Sequence, residues 1–500
     1  MISRVFIRHF RASLVDQYKV AIVGAGPAGF YTAHHLLHKS NGQPVSVDFF
    51  DRLPAPFGLS RYGVAPDHPE VKNCEEYMEN LMKNDSYQTR FFGNVKVGRD
   101  ITLADLKEHY HSIVLAYGCT ASDNTLNIDG SDHPAVIPAR KLVNWYNGHP
   151  DASEWSISLE NVEDVTIIGN GNVAIDVARI LLASPEGHWQ PTDITSRAVE
   201  VLRKSSVKRI NIVARRGILE SAFTNKEIRE LLNISKESGI RFVPIEESLL
   251  APLHDKSKSL GRVEKRKLSI LDKASKEAHQ IDDCGRKQWG LYFQLSPKEF
   301  IANSENPNLL SSTVFEENEL IEDALLGKIS AVPTGKHTTL KNELVILSIG
   351  YKGNKLEGLD ELNIDYNVKK NCLSNNGGRL LLRNSSDEYL YCHGWYTSGW
   401  IKHGPQGVIA TTMMESFDTA EKILEDLANG IHNEAKSQAD IVELLPKHTV
   451  TWNGWENIDK REKEDGLIVG KTREKLVTID ALVEASGSNH PRTHVVTGRK

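Results

Sequence analysis

Two glycine-rich turns are the residues of this sequence best suited to chemistry, because each follows an apolar strand and precedes a helical stretch. Residues 24–29 read G-x-G-x-x-G, and residues 169–174 read G-x-G-x-x-A. Glycine at the first position permits a tight turn, and glycine at the second lets the backbone approach a pyrophosphate at the helix N-terminus. Strand, turn and helix in this order predict two dinucleotide sites.

The first turn carries further signals of a nucleotide site. Its glycines are Gly24, Gly26 and Gly29, and Pro27 suits the first helical position because that position needs no N–H donor. The next apolar strand, residues 45–50, ends in Asp51. A carboxylate there would accept hydrogen bonds from ribose hydroxyls.

The second turn indicates a phosphorylated ligand. Its third glycine is replaced by Ala174, a form common where the ligand is a phosphorylated nicotinamide dinucleotide. The partner strand, residues 209–214, ends in Arg215 and Arg216 rather than in an acid. Two guanidiniums would bind a 2′-phosphate, so NADPH is the predicted ligand. The alternative is that both arginines only form a solvated strand end. A helical insertion around residues 195–205 would explain the long gap between turn and arginines.

The order of the remaining apolar strands predicts how the two nucleotide units are connected. Residues 112–118 form an apolar strand that returns to the first unit, and a similar strand spans residues 343–351. The whole second turn lies between them. We therefore expect an α/β fold with two Rossmann-like dinucleotide-binding domains, the second inserted into the first.

Composition excludes several classes of protein. The 500 residues carry a formal net charge of −6, which argues against binding nucleic acid by bulk charge. No apolar run is long enough to span a bilayer as a helix, so any membrane contact is expected to be peripheral. The cysteines are few and lack C-x-x-C spacing, which argues against a disulfide-exchange flavoenzyme and an iron–sulfur protein. They are Cys74, Cys119, Cys284, Cys372 and Cys392.

The N-terminal residues are typical of a mitochondrial presequence. Residues 1–15 include Arg4, Arg8 and Arg11, and no acidic residue precedes Asp16. As a helix this leader would be amphipathic and basic, as in mitochondrial targeting segments. A disordered tail without an address is the alternative.

Several longer motifs resemble the adrenodoxin reductase family. The segment FGLSRYGVAPDHPEVKN at residues 57–73 carries the resemblance, together with FGNVKVG at 92–98, GNVAIDVAR at 171–179, RRG at 215–217 and the glycine-rich stretch 399–409. These motifs extend over nearly the whole chain after the leader. The resemblance implies a mitochondrial FAD enzyme that takes hydride from NADPH and passes single electrons to a [2Fe-2S] ferredoxin.

The resemblance also implies a domain plan and a set of binding residues. The plan is a presequence at 1–16, an FAD-binding domain at 17–118 and 351–500, and an NADP-binding domain at 119–350. Asp51 and Asn170 depart from the family's usual Glu and Gln. The FAD residues implied are Gly24, Gly26, Pro27, Ala28, Gly29, Asp51, Leu59, Val97, Trp400, Gly407, Val408 and Ile409. The NADP residues implied are Asn170, Gly171, Asn172, Val173, Arg215, Arg216 and Glu227, with Gly407 also near the nicotinamide.

Two titratable residues inside family motifs are the candidates for catalysis. We expect His68 and Asp176 to lie near the flavin, where they would handle a proton or orient the nicotinamide. Each also has a structural interpretation: His68 would hold a proline-rich loop, and Asp176 would orient a helix. Hydride transfer itself needs neither residue.

The implied partner is an acidic ferredoxin, which calls for a basic surface. The densest cationic run resembles the family's docking segment and contains Arg262, Lys265, Arg266 and Lys267. Charge attraction would speed the encounter and make it depend on salt. A charge run that is only a solvated helix face is the alternative.

Three other functions compete with ferredoxin reduction. They are a glutamate-synthase-type small subunit, a flavin monooxygenase and a dinucleotide sensor without catalysis. The first usually carries extra iron–sulfur cysteines, the second would consume oxygen, and the third need not retain a flavin-ring site. The sequence does not indicate whether the electrons would serve iron–sulfur cluster assembly, haem modification or steroid hydroxylation.

Overall fold

The computed structural model describes residues 17–488 except 41, 120–121, 279–285, 323–328, 385, 387 and 408. The predicted presequence, Cys284 and Val408 therefore lie outside the described residues. Among the described residues, the fold consists of a mixed seven-stranded sheet and a parallel six-stranded sheet, both covered by helices, together with smaller antiparallel sheets.

The first unit is built on a seven-stranded sheet with the order β18-β19-β20-β4-β1-β2-β3. Its strands β1 to β4 pair in parallel, and β20 joins β4 in parallel. The arrangement of β1 beside β2 and β4 is that of a Rossmann half. The strands are β1 (Tyr18–Val23), β2 (Val45–Phe50), β3 (Gln88–Phe92), β4 (Ser112–Leu115), β18 (Asn375–Asn376), β19 (Arg379–Arg383) and β20 (Tyr389–Thr397).

The second unit is built on a six-stranded parallel sheet with the order β6-β14-β7-β8-β10-β9. All of its strands fall between the two parts of the first sheet, which confirms the predicted insertion. The strands are β6 (Val136–Pro138), β7 (Asp164–Ile168), β8 (Arg209–Val213), β9 (Arg241–Val243), β10 (Gln288–Tyr292) and β14 (Leu344–Leu347). The domain boundaries at residues 118 and 350 stay a prediction.

Smaller sheets complete the strands of the fold. An antiparallel sheet of β11 (Leu295–Ala302), β12 (Leu310–Glu322) and β13 (Ile329–Lys341) extends from the second unit. Two short pairs join β5 (Ser122–Asp123) to β15 (Tyr351–Lys352) and β16 (Tyr366–Asn367) to β17 (Cys372–Leu373).

Helices cover both faces of the two larger sheets. In the first unit they are α1 (Pro27–Lys39), α2 (Leu59–Tyr62), α3 (Pro69–Lys72), α4 (Cys74–Met82), α5 (Leu103–His109), α12 (Trp400–His403), α13 (Ile409–Ala428), α14 (Trp452–Ile468) and α15 (Ile479–Ala485). In the second unit they are α6 (Ala139–Tyr146), α7 (Asn172–Leu182), α8 (Ser196–Arg203), α9 (Asn225–Glu237), α10 (Glu247–Asp255) and α11 (Arg262–Ala278). Helix α8 is the predicted insertion between the second turn and its arginines.

The strand sequences explain why both sheets are covered. In β1, Val20 and Ile22 pack into the core beneath α1 and α13, while Ala21 and Val23 pack into a core on the opposite face. Strands buried on both faces read as nearly continuous apolar runs, as residues 20–23 of β1 and the whole of β14 do. The turns at the carboxyl ends of β1 and β7 are thereby held on rigid elements. Among the described residues, no helix is long and apolar enough to cross a membrane.

Candidate active site

Two glycines of the first turn are required by the packing of the fold, whereas the third leaves its backbone open to a ligand. Gly24 has a φ of 109°, and a Cβ there would lie 2.5 Å from the Ala116 carbonyl oxygen. A Cβ on Gly29 would lie 2.2 Å from the Gly24 carbonyl oxygen, so α1 packs closely on β1. A Cβ on Gly26 would meet nothing closer than Gly58 Cα at 3.9 Å. Gly26 therefore presents open backbone rather than a packing contact.

The open backbone of Gly26 faces a cavity of about 680 Å³, which is lined mostly by the first unit and partly by the second. This volume suits a cofactor-sized ligand. Most of the implied FAD residues line it, namely Gly24, Gly26, Pro27, Ala28, Asp51, Leu59, Val97, Trp400 and Ile409. Gly29 and Gly407 are not among the lining residues, because Gly29 packs against β1 and Gly407 lies on the exposed turn before α13.

Helix α1 begins at the cavity without a side-chain cap. Pro27 occupies its first turn, as predicted, and the preceding residue is Gly26. The first N–H groups of a helix have no partner within the helix, and the helix dipole adds positive potential there. The N-terminus of α1 and the open Gly26 backbone thus form a cradle that fits a pyrophosphate.

Asp51 holds the turn as well as lining the cavity. Its Oδ2 accepts a hydrogen bond from the Ala25 N–H at 2.8 Å, and its Oδ1 accepts one from the Leu53 N–H at 2.9 Å. Burial raises the pKa of this carboxyl, although both hydrogen bonds and Arg52 oppose the rise. Carboxylate oxygens can accept further hydrogen bonds, so these contacts leave room for a ribose hydroxyl.

Two tryptophans, Trp395 and Trp400, lie close together in the sequence, and the structure separates them. Trp400 lines the cavity, and its ring stacks on Tyr351 with centroids 5.9 Å apart. Trp395 is buried in the sheet core, where it pairs with β4.

The second turn repeats the division of roles seen in the first. Gly169 has a φ of 112°, and a Cβ there would lie 2.1 Å from the Ser348 carbonyl oxygen. A Cβ on Gly171 would meet nothing within 4 Å. The turn is fixed from outside, because the Asn170 carbonyl accepts from the Phe223 N–H and Asn172 Oδ1 accepts from the Thr224 N–H. Gly171 and the N-terminus of α7 thus form a second open cradle, and Val173 lies in its first turn.

The two arginines after β8 are exposed, and neither side chain makes a hydrogen bond or an ion pair with any described residue. Their backbones are anchored, because the Asn318 side chain donates to the Arg215 carbonyl and the Gln294 N–H donates to the Arg216 carbonyl. Both guanidiniums therefore remain available for an anionic ligand. Glu227 lies elsewhere: its carboxylate is 3.0 Å from Arg179 Nη1.

The candidate catalytic residues His68 and Asp176 lie together in a buried cluster between the two units. One side-chain nitrogen or oxygen atom from each of His68, Asp176 and Glu227 lies within 4.8 Å of the other two. Arg179 lies within the same cluster, 2.9 Å from Asp176 and 3.0 Å from both His68 Nε2 and Glu227. The guanidinium already compensates these carboxylates.

Hydrogen bonds from this cluster join the two units. Arg179 of α7 donates to both oxygens of Asp67 at 3.0 Å, and His68 Nε2 lies 2.8 Å from Glu230 of α9. Burial raises the pKa of Asp176 to about 7, with Arg179 opposing and Glu227 adding to the rise. A carboxyl with this pKa can hold or release a proton at neutral pH.

Asp176 acts electrostatically on Tyr351, whose ring stacks on a residue that lines the cavity. It contributes, after burial and Asp123, to raising the pKa of Tyr351 to about 12. Tyr351 is the ring that stacks on Trp400. The charge of the Asp176 carboxyl therefore acts on a ring that supports Trp400.

The predicted docking segment needs one correction. Arg262, Lys265 and Arg266 are exposed at the start of α11. Lys267 was predicted to belong to the same surface, but it is 5 % exposed, and its Nζ donates to the Ser221 carbonyl at 2.6 Å. Successive residues of a helix point in different directions, so a run of four charges cannot share one face.

Sequence patterns missed several residues at this site. Gly58 has a φ of 50° and lies beside Gly26 in the cavity wall. Tyr62, Arg140 and His149 also line the cavity. Gly58 and Tyr62 lie inside the motif at residues 57–73, but the motif gave neither an individual role. Arg140 and His149 had no spacing that marks a ligand contact, because their positions depend on how the units meet.

Comparison with known proteins identifies the family. The chain is 37% identical over 486 residues to the mitochondrial NADPH:adrenodoxin oxidoreductase of Arabidopsis thaliana, covering 96% of this chain and 98% of that protein. It is 38% identical to the Homo sapiens protein of the same name, with coverage of 96% and 94%. The chain belongs to the NADPH:adrenodoxin oxidoreductase family. The predicted resemblance is thereby confirmed.

Solved structures agree with this family. The chain matches Mycobacterium tuberculosis FprA, described as an oxidoreductase, with a TM-score of 0.83 and 33% identity, covering 94% of this chain and 99% of that one. One of the matching FprA structures is a complex with NADPH. The predicted α/β fold with two Rossmann-like domains is confirmed.

A broader family model also matches, described as pyridine nucleotide-disulphide oxidoreductase, over residues 18–249. The four cysteines among the described residues, Cys74, Cys119, Cys372 and Cys392, are all free thiols. Burial raises the pKa of each, to about 12 for Cys119. Since the thiolate is the reactive form, these thiols are poor candidates for disulfide exchange. Over residues 18–249 the chain is thus similar to this broader group, while its four described cysteines form no disulfide.

Proposed function

We propose that this chain takes hydride from NADPH onto bound FAD and delivers single electrons to an acidic [2Fe-2S] ferredoxin in the mitochondrial matrix. The observation that carries the proposal is the pair of open glycine cradles, Gly26 at the large cavity and Gly171 beside exposed arginines. The curated relatives are named mitochondrial NADPH:adrenodoxin oxidoreductases. Any contact with the inner membrane would be peripheral.

The residues around the cavity fit FAD. Gly26, Pro27 and Ala28 would hold the pyrophosphate at the start of α1, and Asp51 would accept the ribose hydroxyls. Leu59, Val97, Trp400 and Ile409 supply apolar walls, which exclude water from the reacting edge. When bound, FAD supplies the conversion of a two-electron hydride into single-electron transfers.

The residues of the second unit fit NADPH. Asn170, Gly171, Asn172 and Val173 would hold the pyrophosphate at the start of α7, and Gly407 would lie near the nicotinamide. Arg215 and Arg216 would bind the 2′-phosphate, because both guanidiniums are exposed and make no hydrogen bond or ion pair with the described residues. Glu227 would reach the adenosine end only if its contact with Arg179 were exchanged for one with the ligand.

Asp176 and His68 would act beside the nicotinamide rather than on the hydride. Asp176 can release or accept a proton near neutral pH, and its electrostatic effect on Tyr351 supports a role beside the cavity. His68 fixes the loop before α3 against α9 through Glu230. We infer that the pair orients the nicotinamide or handles a proton during turnover.

Stopped-flow absorbance of the purified protein tests the proposal. NADPH should bleach the flavin rapidly, NADH slowly, and a mitochondrial [2Fe-2S] ferredoxin should then restore the oxidised spectrum. A flavin that NADPH bleaches but ferredoxin does not reoxidise, with rapid oxygen uptake instead, would indicate a monooxygenase or oxidase. Protein purified without a yellow chromophore, and unable to bind added FAD, would contradict the flavin assignment.

A further inference from the structure

The segment after α14, residues 471–475, lies between the two units, and its charged side chains contact both. We call residues 471–475 the C-terminal clasp. It packs against residues 193–196, which lead into α8 of the second unit, and against Arg61 and Glu462 of the first. Buried side chains with charges are rare unless they are paired, so the pairing of each one indicates what the segment does.

Glu474 holds the start of α8. Its Oε1 accepts from the Ser196 N–H at 3.0 Å, and its Oε2 accepts from Ser196 Oγ at 2.7 Å. Thr195, the residue at the N-cap, makes no capping bond with its own side chain. Lys471 adds a bond from its Nζ to the Ile194 carbonyl and pairs with Glu474. The first unit thus supplies the cap of a helix in the second.

Lys475 lies at the centre of the clasp. Its side chain is 1% exposed, and its Nζ is 2.9 Å from Asp193 Oδ2 and 3.1 Å from the Arg61 carbonyl. Asp193 also accepts from Lys72 of α3 at 2.6 and 2.7 Å. Two lysines of the first unit therefore hold one aspartate of the second.

The clasp is anchored to the helix that lines the cavity. Arg61 of α2 binds both oxygens of Glu462 at 2.6 and 2.7 Å, and Arg473 binds Glu462 at 2.9 Å. Leu59 and Tyr62, in the same four-residue helix, line the cavity proposed for FAD. The clasp thus connects a wall of that cavity to the second unit through continuous polar contacts.

We propose that the C-terminal clasp, through Lys475 and Asp193, holds the two units in the orientation that hydride transfer requires. This rests on the proposed function. Neither residue lines the cavity, so both are positioning residues rather than catalytic ones. Reacting atoms must approach to about 3–3.5 Å, and a misplacement of about 1 Å can cost on the order of 100-fold in rate.

Lys475→Met tests the clasp without leaving Asp193 unpaired, because Lys72 remains bound to it. We expect the limiting rate of flavin reduction by NADPH to fall roughly 10- to 100-fold, with the dissociation constants of NADPH and FAD within about twofold of the parent. Amide hydrogen exchange, measured without NADPH, should rise in residues 193–203. The matched control is Arg379→Met, which removes a bidentate pair with Asp426 inside the first unit.

The control separates positioning from general stability. Arg379→Met should lower thermal stability while leaving the reduction rate and the exchange of residues 193–203 unchanged. The proposal is overturned if Lys475→Met leaves both rate and exchange unchanged, or if the two variants lose rate equally. It is also overturned if the Lys475→Met rate recovers when excess FAD is added. Failure of the parent protein to be reduced by NADPH would refute the proposed function, whereas the exchange measurement would still test the clasp.

A second variant serves if Lys475→Met does not fold. Glu474→Gln retains an amide oxygen for Ser196, and the side chain is 25% exposed, so folding should be preserved. The same split between rate and binding is expected, with a smaller loss of rate. An unchanged rate together with unchanged exchange would overturn the proposal here as well.

Discussion

The two kinds of glycine in each turn lead to opposite expectations for the same substitution. Gly26 has an extended backbone with φ −95° and ψ −175°, which alanine can adopt, and its Cβ would enter the open cradle. Gly26→Ala should therefore fold normally but bind FAD at least about tenfold more weakly, a loss of ~1.4 kcal/mol. Fluorescence titration of the apoprotein with FAD measures this loss.

Gly29→Ala is the matched contrast. Its Cβ would lie 2.2 Å from the Gly24 carbonyl oxygen, so the helix must shift from the strand. We expect a loss of about 1–3 kcal/mol in stability, measured by urea unfolding. If Gly26→Ala lost as much stability as Gly29→Ala, the cradle would be a packing feature instead of a ligand site.

Arg215 and Arg216 should discriminate between the two nicotinamide dinucleotides. Only NADPH carries the 2′-phosphate. Replacing both arginines by alanine should therefore raise the KM for NADPH by about 100-fold or more, the effect expected from losing two charge-assisted hydrogen bonds. The KM for NADH should change little. Steady-state kinetics with both substrates measures the ratio. Equal losses for NADPH and NADH would contradict the assignment.

Asp176 should make stability depend on pH in a predictable direction. Its pKa is raised from 3.8 to about 7 on folding, so the folded protein holds a proton there that the unfolded chain has lost between these values. Stability from this group therefore falls as pH rises from about 4 to about 7. Asp176→Asn should become more stable than the parent above pH 7, by at most about 4 kcal/mol, and match it near pH 4. Urea unfolding across pH measures the difference, which would be constant if the carboxyl kept its ordinary pKa.

Arg262, Lys265 and Arg266 lie exposed on one face of α11, and we predict that this face binds the ferredoxin. Reversing these three charges should lower the association rate with ferredoxin by about tenfold or more at low salt and leave ferricyanide reduction unchanged. The difference should shrink as ionic strength rises. Loss of both activities together would indicate that α11 acts structurally.

Lys267 provides the internal contrast on the same helix. Because its Nζ is buried on the Ser221 carbonyl, Lys267→Glu should destabilise the fold instead of changing ferredoxin docking alone. Thermal unfolding distinguishes the two results.

Sequence patterns predicted the elements that follow local rules. The strands at 45–50 and 164–168, the helix beginning at Pro27 and the insertion filled by α8 all follow from apolar runs, glycine turns and spacing. Strand β4 is shorter than predicted, ending at Leu115, because the chain turns there to meet the Gly24 loop. The antiparallel sheet of β11 to β13 had no comparable signal, since β13 is largely exposed and burial alternates irregularly along β11 and β12.

The insertion of one nucleotide unit into the other could be predicted from the sequence, but the contacts between the two units could not. The order of apolar strands predicted two units. The contacts between them join residues far apart in sequence, such as Arg61 with Glu462 and Lys475 with Asp193. No local period marks such pairs. His68 and Asp176 were singled out by their motifs, whereas their shared partner Arg179 became evident only from the fold.

The contact between Asp67 and Arg179 should control how the joined molecule responds to acid. Burial alone would raise the pKa of Asp67, but hydrogen bonds from His188 and Arg179 hold it well below 3.8. This depressed pKa contributes stability that is present above about pH 4 and is lost as pH falls below it. Asp67→Asn should therefore be less stable than the parent by about 2–4 kcal/mol at pH 6, and the gap should close toward pH 2. Arg179 keeps its ion pair with Glu227 in the variant, so the guanidinium is not left uncompensated. Urea unfolding at several pH values measures the gap. A difference that did not close in acid would place the stabilisation in the shape of the junction instead of its charge.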